Sequence, residues 1–379
     1  MPARIFASII KSTTSIMYLY LLPVLFLFES FFSCGLNQEK TLLSEAHLDT
    51  QPKAICPQDP QKPFIEASNI VFQSNDFGQT WMDVSAGLPD GVAIGRVLSD
   101  KGEIILASSS QLFRSRCDKA PIWKKELFQN ELRQNIEISD LFSGKNGLYV
   151  SSYRLGFSKE LPGANLWYVM DNALPDKTVR SVLEIEDGTL FVGVESGLFK
   201  SVDSGASWKQ VIADMGINSL VSADAAGKVL VCGTYEGLRQ STDGGEHWNI
   251  VLTEDFGAWH TKTIEGGIVT ITEGGSWKDS GRSNRIRLST DQGKTWQRID
   301  MGLSQVPFMF NVDESAPSAQ RIYAIEQAGK YLFCSSNAGI FRSPDMGKSW
   351  ELVRLSNGKE MFELIVSGSI VYAVQVVGC

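Results

Sequence analysis

From residue 69 onward the chain is written in short runs that alternate apolar and polar residues, broken every few positions by Gly, Asp, Asn or Ser. A period of two puts successive side chains on opposite faces of a strand, so these runs predict β-structure. Residues 178–212 show the unit. VRSVLEIE alternates and predicts a first strand, and Asp187-Gly188, a pair that tolerates positive φ, predicts a hairpin turn after it. TLFVGV follows as a second strand, Glu195-Ser196-Gly197 as a turn, LFKS as a third strand, SVDSGASW as another turn, and WKQV as a fourth strand. The same frame fits 217–252, with GKVLVCGTYEGLRQ supplying the middle strands.

The third turn is a repeated motif, Ser/Thr-x-Asp-x-Gly-x-x-Trp. It stands as SNDFGQTW (74–81), SVDSGASW (201–208), STDGGEHW (241–248), STDQGKTW (289–296) and SPDMGKSW (343–350). Two decayed copies fill the gap after the first: SRCDKAPIW (115–123) and SKELPGANLW (158–167). The seven tryptophans are Trp81, Trp123, Trp167, Trp208, Trp248, Trp296 and Trp350, spaced 42, 44, 41, 40, 48 and 54 residues apart. A period near 40–50 residues with four strands per repeat predicts propeller blades. The domain opens with strands three and four of a unit (NIVFQS, box, WMDVS) and ends with strands one and two (MFELIV, SIVYAVQVV). Joined, the halves make one blade. The expected fold is therefore all-β: a seven-bladed β-propeller of four-stranded antiparallel blades over 67–379, its ring closed by a blade shared between the two ends.

These octapeptides resemble the Asp-box (BNR) repeat superfamily over roughly residues 69–378. Its members include sialidases, xyloglucan-cleaving endoglucanases, sortilin receptors and photosystem II assembly factors. The layout is most similar to the last group, which implies a single seven-bladed ring acting as an assembly scaffold. Sialidases imply six blades and an Arg-Ile-Pro segment, and this chain lacks that tripeptide.

Asp76, Asp203, Asp243, Asp291 and Asp345 invite a reading as calcium ligands, but turn chemistry explains them better. An Asp in a tight turn accepts backbone N–H bonds. The Gly two residues on takes a backbone conformation that side chains disfavour. Trp81, Trp208, Trp248, Trp296 and Trp350 then pack between sheets as structural rivets. All five boxes are expected on one rim, with none catalytic.

Function is expected on the opposite rim, where the other loops surround the channel. Two tryptophans remain after the rivets: Trp259 in EDFGAWHT (254–261) and Trp277 in EGGSWKDSGRSNR (273–285). With Asp255, His260, Arg282, Arg285, Tyr235 and Glu236 they form the candidate binding face, beside Lys262 and Lys278. Aromatic rings among charges suit docking of a protein or a glycan. The alternative is that the two indoles pack on each other. A glycosidase would need paired carboxylates, and Glu195, Glu236, Asp255, Asp176 and Asp90 are the candidates.

The N-terminus changes the setting. Residues 1–17 carry two positive charges and no negative ones, Tyr18 to Phe28 are almost wholly apolar, and Cys34 follows Ser33. That is the layout of a secretory signal over 1–33, with an uncleaved anchor as the alternative. Phe31-Phe32-Ser33-Cys34-Gly35 resembles a bacterial lipoprotein cleavage box, which implies a lipid on Cys34 and a polar tether over 34–66. The expected location is exported and membrane-anchored, on the periplasmic or cell-surface side.

Net charge is −8, or −9 once Arg4, Lys11 and Glu29 are removed with residues 1–33. With no basic run, nucleic acid is an unexpected partner. Three histidines and six cysteines show no zinc-like spacing, so no metal or cofactor is expected. Cys232 and Cys334 read as buried thiols. Cys56 and Cys379 form a candidate disulfide across the ring closure, with Cys117 as a rival partner for Cys56. The expected protein is a monomeric, lipid-tethered, non-catalytic scaffold; the alternative is an extracytoplasmic glycoside hydrolase.

Overall fold

A computed structural model describes residues 68–377, apart from residues 110, 117–120, 128–136, 146, 154–155, 162–165, 171–172, 214, 254–256, 275–282, 304–320 and 358–359. Cys34, Cys56, Cys117, Asp255, Trp277, Lys278, Arg282 and Cys379 therefore lie outside the described residues.

The described residues form seven four-stranded antiparallel sheets and no helix. Blade 3 matches the alternating pattern strand for strand: β11 (Val179–Glu184), β12 (Leu190–Val194), β13 (Gly197–Ser201) and β14 (Lys209–Ala213). β12 is buried throughout, because sheets cover both of its faces, while β14 at the outer edge is largely exposed. Each sheet contributes its first strand to a closed inner ring of successive contacts: β3 (Arg96–Asp100), β7 (Ile138–Gly144), β11, β15 (Ile217–Ser222), β19 (Ala258–Ile264), β23 (Ile322–Ala328) and β27 (Met361–Ser367). These strands wall a central channel. The blades are numbered 1 to 7 in that order.

Blade 7 is the shared one. Its strand order is β2 (Met82–Asp83), β1 (Val71–Ser74), β28 (Ile370–Val376), β27. Val71 to Ser74 pair with Val374 to Val371. Arg342 of blade 6 donates to the Phe77 carbonyl of blade 7 at 2.6 Å, and the Arg354 guanidinium lies 3.7 Å from the Phe72 ring centroid. The ring closes without an open edge between its ends.

The apolar core is divided among the seams between blades. One cluster joins Phe191 and Leu198 of blade 3 to Ile217, Leu220, Leu230 and Cys232 of blade 4. The boxes bolt these seams. In each, the first Ser Oγ donates to the Asp and accepts from the box Gly N–H, as in Ser289 to Asp291 (2.8 Å) and Gly293 to Ser289 (2.8 Å). The Asp also accepts from the N–H and side chain two positions after the Gly; Thr295 donates both at 2.9 and 2.6 Å. Thr80, Ser207 and Ser349 repeat this, and His247 fills the place in blade 4. These bonds explain why Asp76, Asp203 and Asp291 titrate near about 2. For Asp76 the hydrogen bonds overcome desolvation, while for the other two hydroxyl donation from Ser207 or Thr295 is the largest cause.

The box glycine then meets the preceding blade: Gly205 on Met170, Gly245 on Phe191, Gly293 on Val231, Gly347 on Ile299 and Gly78 on Phe333. All five have φ between 85° and 89°. The residue before each is left-handed too, including Phe77, Ser204, Gln292 and Met346. Trp123 and Trp167 of the decayed boxes are buried, at 7% and 8% exposure.

Candidate functional site

The rim opposite the boxes is shaped by β-bulges. On five of the seven inner strands the register slips at the second residue. The residues inserted there are Ser139, Arg180, Asn218, Trp259 and Tyr323. A bulge re-aims a side chain out of the strand's alternation, so these five stand as a ring around the channel mouth.

Trp259 is thus not a loop residue. It is the second residue of β19, half-buried, because the pairing with β20 (Gly267–Gly274) continues past it to Ala258, opposite Thr272. Its neighbour is Tyr235, at the turn between β16 (Leu230–Thr234) and β17 (Gly237–Ser241). The two rings meet edge to face with centroids 5.6 Å apart. Two glycines make room for the tyrosine: a Cβ on Gly216 would lie 2.4 Å from its ring, and one on Gly257 2.7 Å from its Cα. The Arg180 guanidinium sits 5.6 Å from the Tyr235 centroid and pairs with Glu195, whose carboxylate accepts from the Tyr235 hydroxyl at 3.3 Å. Tyr235, Trp259, Arg180 and Glu195 thus gather from blades 3, 4 and 5. The Trp259 indole N–H is buried without an acceptor among the described residues.

The other face candidates separate. Glu236 pairs with Arg239 of its own hairpin at 3.2 Å. Arg285 is in β21 (Ser283–Ser289), because Gly274 and Ser283 still pair and lengthen the hairpin; its guanidinium lies 3.7 Å from buried Asp300. Of the candidate carboxylates, Glu195 sits in the Tyr235 cluster and Asp176 lies beside it, bonded to the amide of the next residue, Ser196. Asp176 caps the Thr178 and Ser196 amides, and Asp90 lines a separate hollow of about 400 Å³ beside blade 7.

His260 lies one step beyond the bulge, on the channel wall. Both His260 and Lys262 are exposed although they lie on an innermost strand, so the solvent they meet is that of the channel. They belong to an ionic cluster contributed by five blades: Arg96, Asp140, His260, Lys262, Glu326 and Glu363. Arg96 is 3.7 Å from Asp140, and Lys262 pairs closely with Glu326. The channel walls surround these groups with protein on most sides, so they meet confined channel water and are less well solvated than groups on an open surface. Desolvation is the largest cause that raises Glu363 to about 7, with Asp140 adding to it and Lys262 and Arg96 opposing. It also raises Asp140 to about 6, against Arg96. It lowers His260 to about 4, helped by Lys262 and Arg96. No group of three or more His, Cys, Asp or Glu able to hold a metal ion occurs among the described residues. Sequence reasoning missed Arg96, Asp140, Glu326 and Glu363.

Closed ring, seven sheets and shared blade define the class: the chain is a seven-bladed β-propeller. The sequence matches no family model and no curated protein. Solved structures share the fold. The extracellular domain of the hybrid two-component system protein BT3049 from B. thetaiotaomicron aligns with TM-score 0.52 and 12% identity over 75% of this chain; the chain spans 40% of that protein's length. YCF48 bound to a D1 peptide aligns with TM-score 0.51 and 15% identity over 76% of this chain and 94% of its own. An ancestral GH74 enzyme aligns with TM-score 0.50 and 12% identity over 80% of this chain and 45% of its own.

Proposed function

We propose that this protein is an exported, membrane-tethered, non-catalytic β-propeller that docks a protein partner at its channel mouth. The observation that carries the reading is the cluster of Tyr235 and Trp259, edged by Arg180 and Glu195 and holding an indole N–H without an acceptor. Large rings with one unfilled donor, set in a frame of paired charges, are the usual composition of a binding hot spot. A propeller of this fold bound to a peptide supports the same use of the scaffold. The secretory layout of 1–33, the lipoprotein-like Cys34 and the polar segment 34–66 support export and tethering. The test is capture from native membranes with the wild-type protein and with Tyr235→Ala and Trp259→Ala. Partner recovery should fall at least about tenfold with either change while the fold persists; equal recovery would remove the docking reading.

Glycan hydrolysis is the second reading, favoured by Asp140 and Glu363, two channel acids held near about 6 and about 7. An acid protonated near neutral pH is what a general acid requires. Release of sugar from sialosides, β-glucans or xyloglucans, abolished by Glu363→Gln, would establish it.

A further inference from the structure

A hollow of about 740 Å³ lies on the box rim, in the seam between blades 5 and 6, away from the channel mouth. It opens there because blade 5 has a short outer strand. β22 (Gln297–Arg298) has two residues, against five in β18 (Asn249–Thr253) and β26 (Glu351–Leu355) of the neighbouring blades. Past Ile299 the chain turns, with the Leu303 N–H donating to the Asp300 carbonyl at 3.1 Å. The floor is apolar: Leu288 and Ile299 are buried in the core of this seam, and Met346 packs against that core. Met301, 61% exposed, also lines the hollow. Four charged side chains border it: Arg298, Lys330, Lys348 and Glu265. Arg298 is matched by buried Asp300 at 2.7 Å. The Lys330 ammonium lies 5.1 Å from the Tyr331 ring centroid, and Lys348 makes no ion pair with a described residue. The Glu265 carboxylate makes none either; the backbone N–H of that residue donates to the Gln327 side chain at 2.6 Å. Two exposed ammonium groups thus stand against one exposed carboxylate, a local positive excess on a chain of net charge −8.

We propose that this groove docks an acidic, apolar segment of a protein, with carboxylates set against Lys330 and Lys348 and apolar side chains on the floor beside Met301 and Met346. An extended segment that alternates Asp or Glu with Leu presents the two kinds of side chain on opposite sides of its backbone. Charge selects the sign of the ligand: the groove attracts an anion while the molecule as a whole repels one. The methionines fit the floor to side chains of differing shape, because an unbranched thioether repacks readily. The groove and the channel mouth lie on opposite rims, so this site stands whether or not the mouth docks a partner.

The test titrates the full chain with the capped peptide acetyl-Asp-Leu-Asp-Leu-amide. The isosteric acetyl-Asn-Leu-Asn-Leu-amide removes its charge, and acetyl-Asp-Ser-Asp-Ser-amide removes its apolar side chains. The reporters are the methyl resonances of Met301 and Met346, two of nine methionines, assigned with Met→Leu variants. The expected result is a saturable shift of both methyls with the first peptide and affinity at least about tenfold weaker with each of the others. Lys330→Gln and Lys348→Gln should weaken binding about threefold each and about tenfold together, the scale of exposed charge pairs. Lys294 is the control: it holds the place of Lys348 in the blade 5 box but does not line the hollow, and Lys294→Gln should leave affinity unchanged. No shift, equal affinity for the Asn or the Ser peptide, undiminished binding by the double lysine variant, or an equal loss with Lys294→Gln would each overturn the proposal. If the double variant fails to fold, a salt series on the wild-type chain decides. Affinity should fall as salt screens the pairs, and an affinity flat across the series overturns the proposal.

Discussion

Replacing Gly245 by alanine separates two demands that the box turn makes. Gly245 has φ of 85°, and a Cβ there would lie 2.5 Å from Cε1 and 2.8 Å from Cζ of Phe191, a fully buried side chain of the preceding blade. Gly188, in an ordinary hairpin, has φ of 87° and nothing within 4 Å of its Cβ position. The left-handed backbone costs a non-glycine residue about 1–2 kcal/mol. Forcing a methyl group into a filled seam costs roughly 1–3 kcal/mol more. Gly188→Ala should therefore lose about 1–2 kcal/mol and Gly245→Ala about 2–5 kcal/mol. Urea unfolding with fitted midpoints and m-values measures both. A third variant sharpens the test. Phe191→Leu combined with Gly245→Ala should be more stable than the sum of the single losses, because the smaller side chain makes room for the methyl group. Equal losses at Gly188 and Gly245, with additive behaviour in the double variant, would show that the seam does not press on the box glycine.

Other outcomes follow from the same geometry. Asp345→Ala removes acceptor oxygens for the Ser349 N–H, the Ser349 hydroxyl and the Ser343 hydroxyl, at 2.8, 2.6 and 2.9 Å. The turn is mostly exposed, so the loss should be about 1–2 kcal/mol by thermal or urea unfolding, well under three full hydrogen bonds. Stability should depend on pH from both sides. The box carboxylates Asp76, Asp203 and Asp291 contribute above their ordinary range and lose that contribution as pH falls through about 2. Asp140 and Glu363, raised to about 6 and about 7, contribute below their ordinary range and lose it as pH rises through those values; His260 opposes them, losing its contribution as pH falls through about 4. Glu363→Gln should flatten the decline between about pH 5 and pH 8 in a melting series, and an unchanged profile would count against its raised proton affinity. Cys232 and Cys334 are fully buried, with burial the main cause that pushes the Cys232 thiol up to about 12. Neither should react with an aqueous thiol reagent until the protein unfolds.

The blade count and the shared seventh blade were legible because tryptophan spacing and strand alternation are properties of short segments. The box rim was legible for the same reason, although the hydroxyls at Thr80, Ser207, Thr295 and Ser349 stood in plain view and were passed over. The channel was not. Arg96, Asp140 and Glu363 each read as one polar residue in an alternating strand. Only the closed ring, which joins residues hundreds of positions apart, turns them into one electrostatic unit. Trp259 was assigned to a loop because a bulge breaks alternation without breaking the strand. Pairing register decides which residue is inserted, and register depends on partner strands that a local window does not contain. Arg285 was misplaced for a related reason: the hairpin it belongs to runs further than its glycines suggest.

The position of β28 inside the seventh sheet has a consequence for how the molecule is made. β1 and β27 both rest against β28, and they have no other route to each other. Synthesis delivers β1 before the strands of the six other sheets and β28 after them. Throughout that interval β1 has an unfilled side, a row of backbone donors and acceptors facing water. Six sheets can be complete while the molecule is still a crescent with two sticky tips. A chain cut short before residue 370 would keep both tips for good, and a second such chain is the obvious thing for them to find. β28 is therefore the keystone of the ring: the two tips meet only when it slots between β1 and β27.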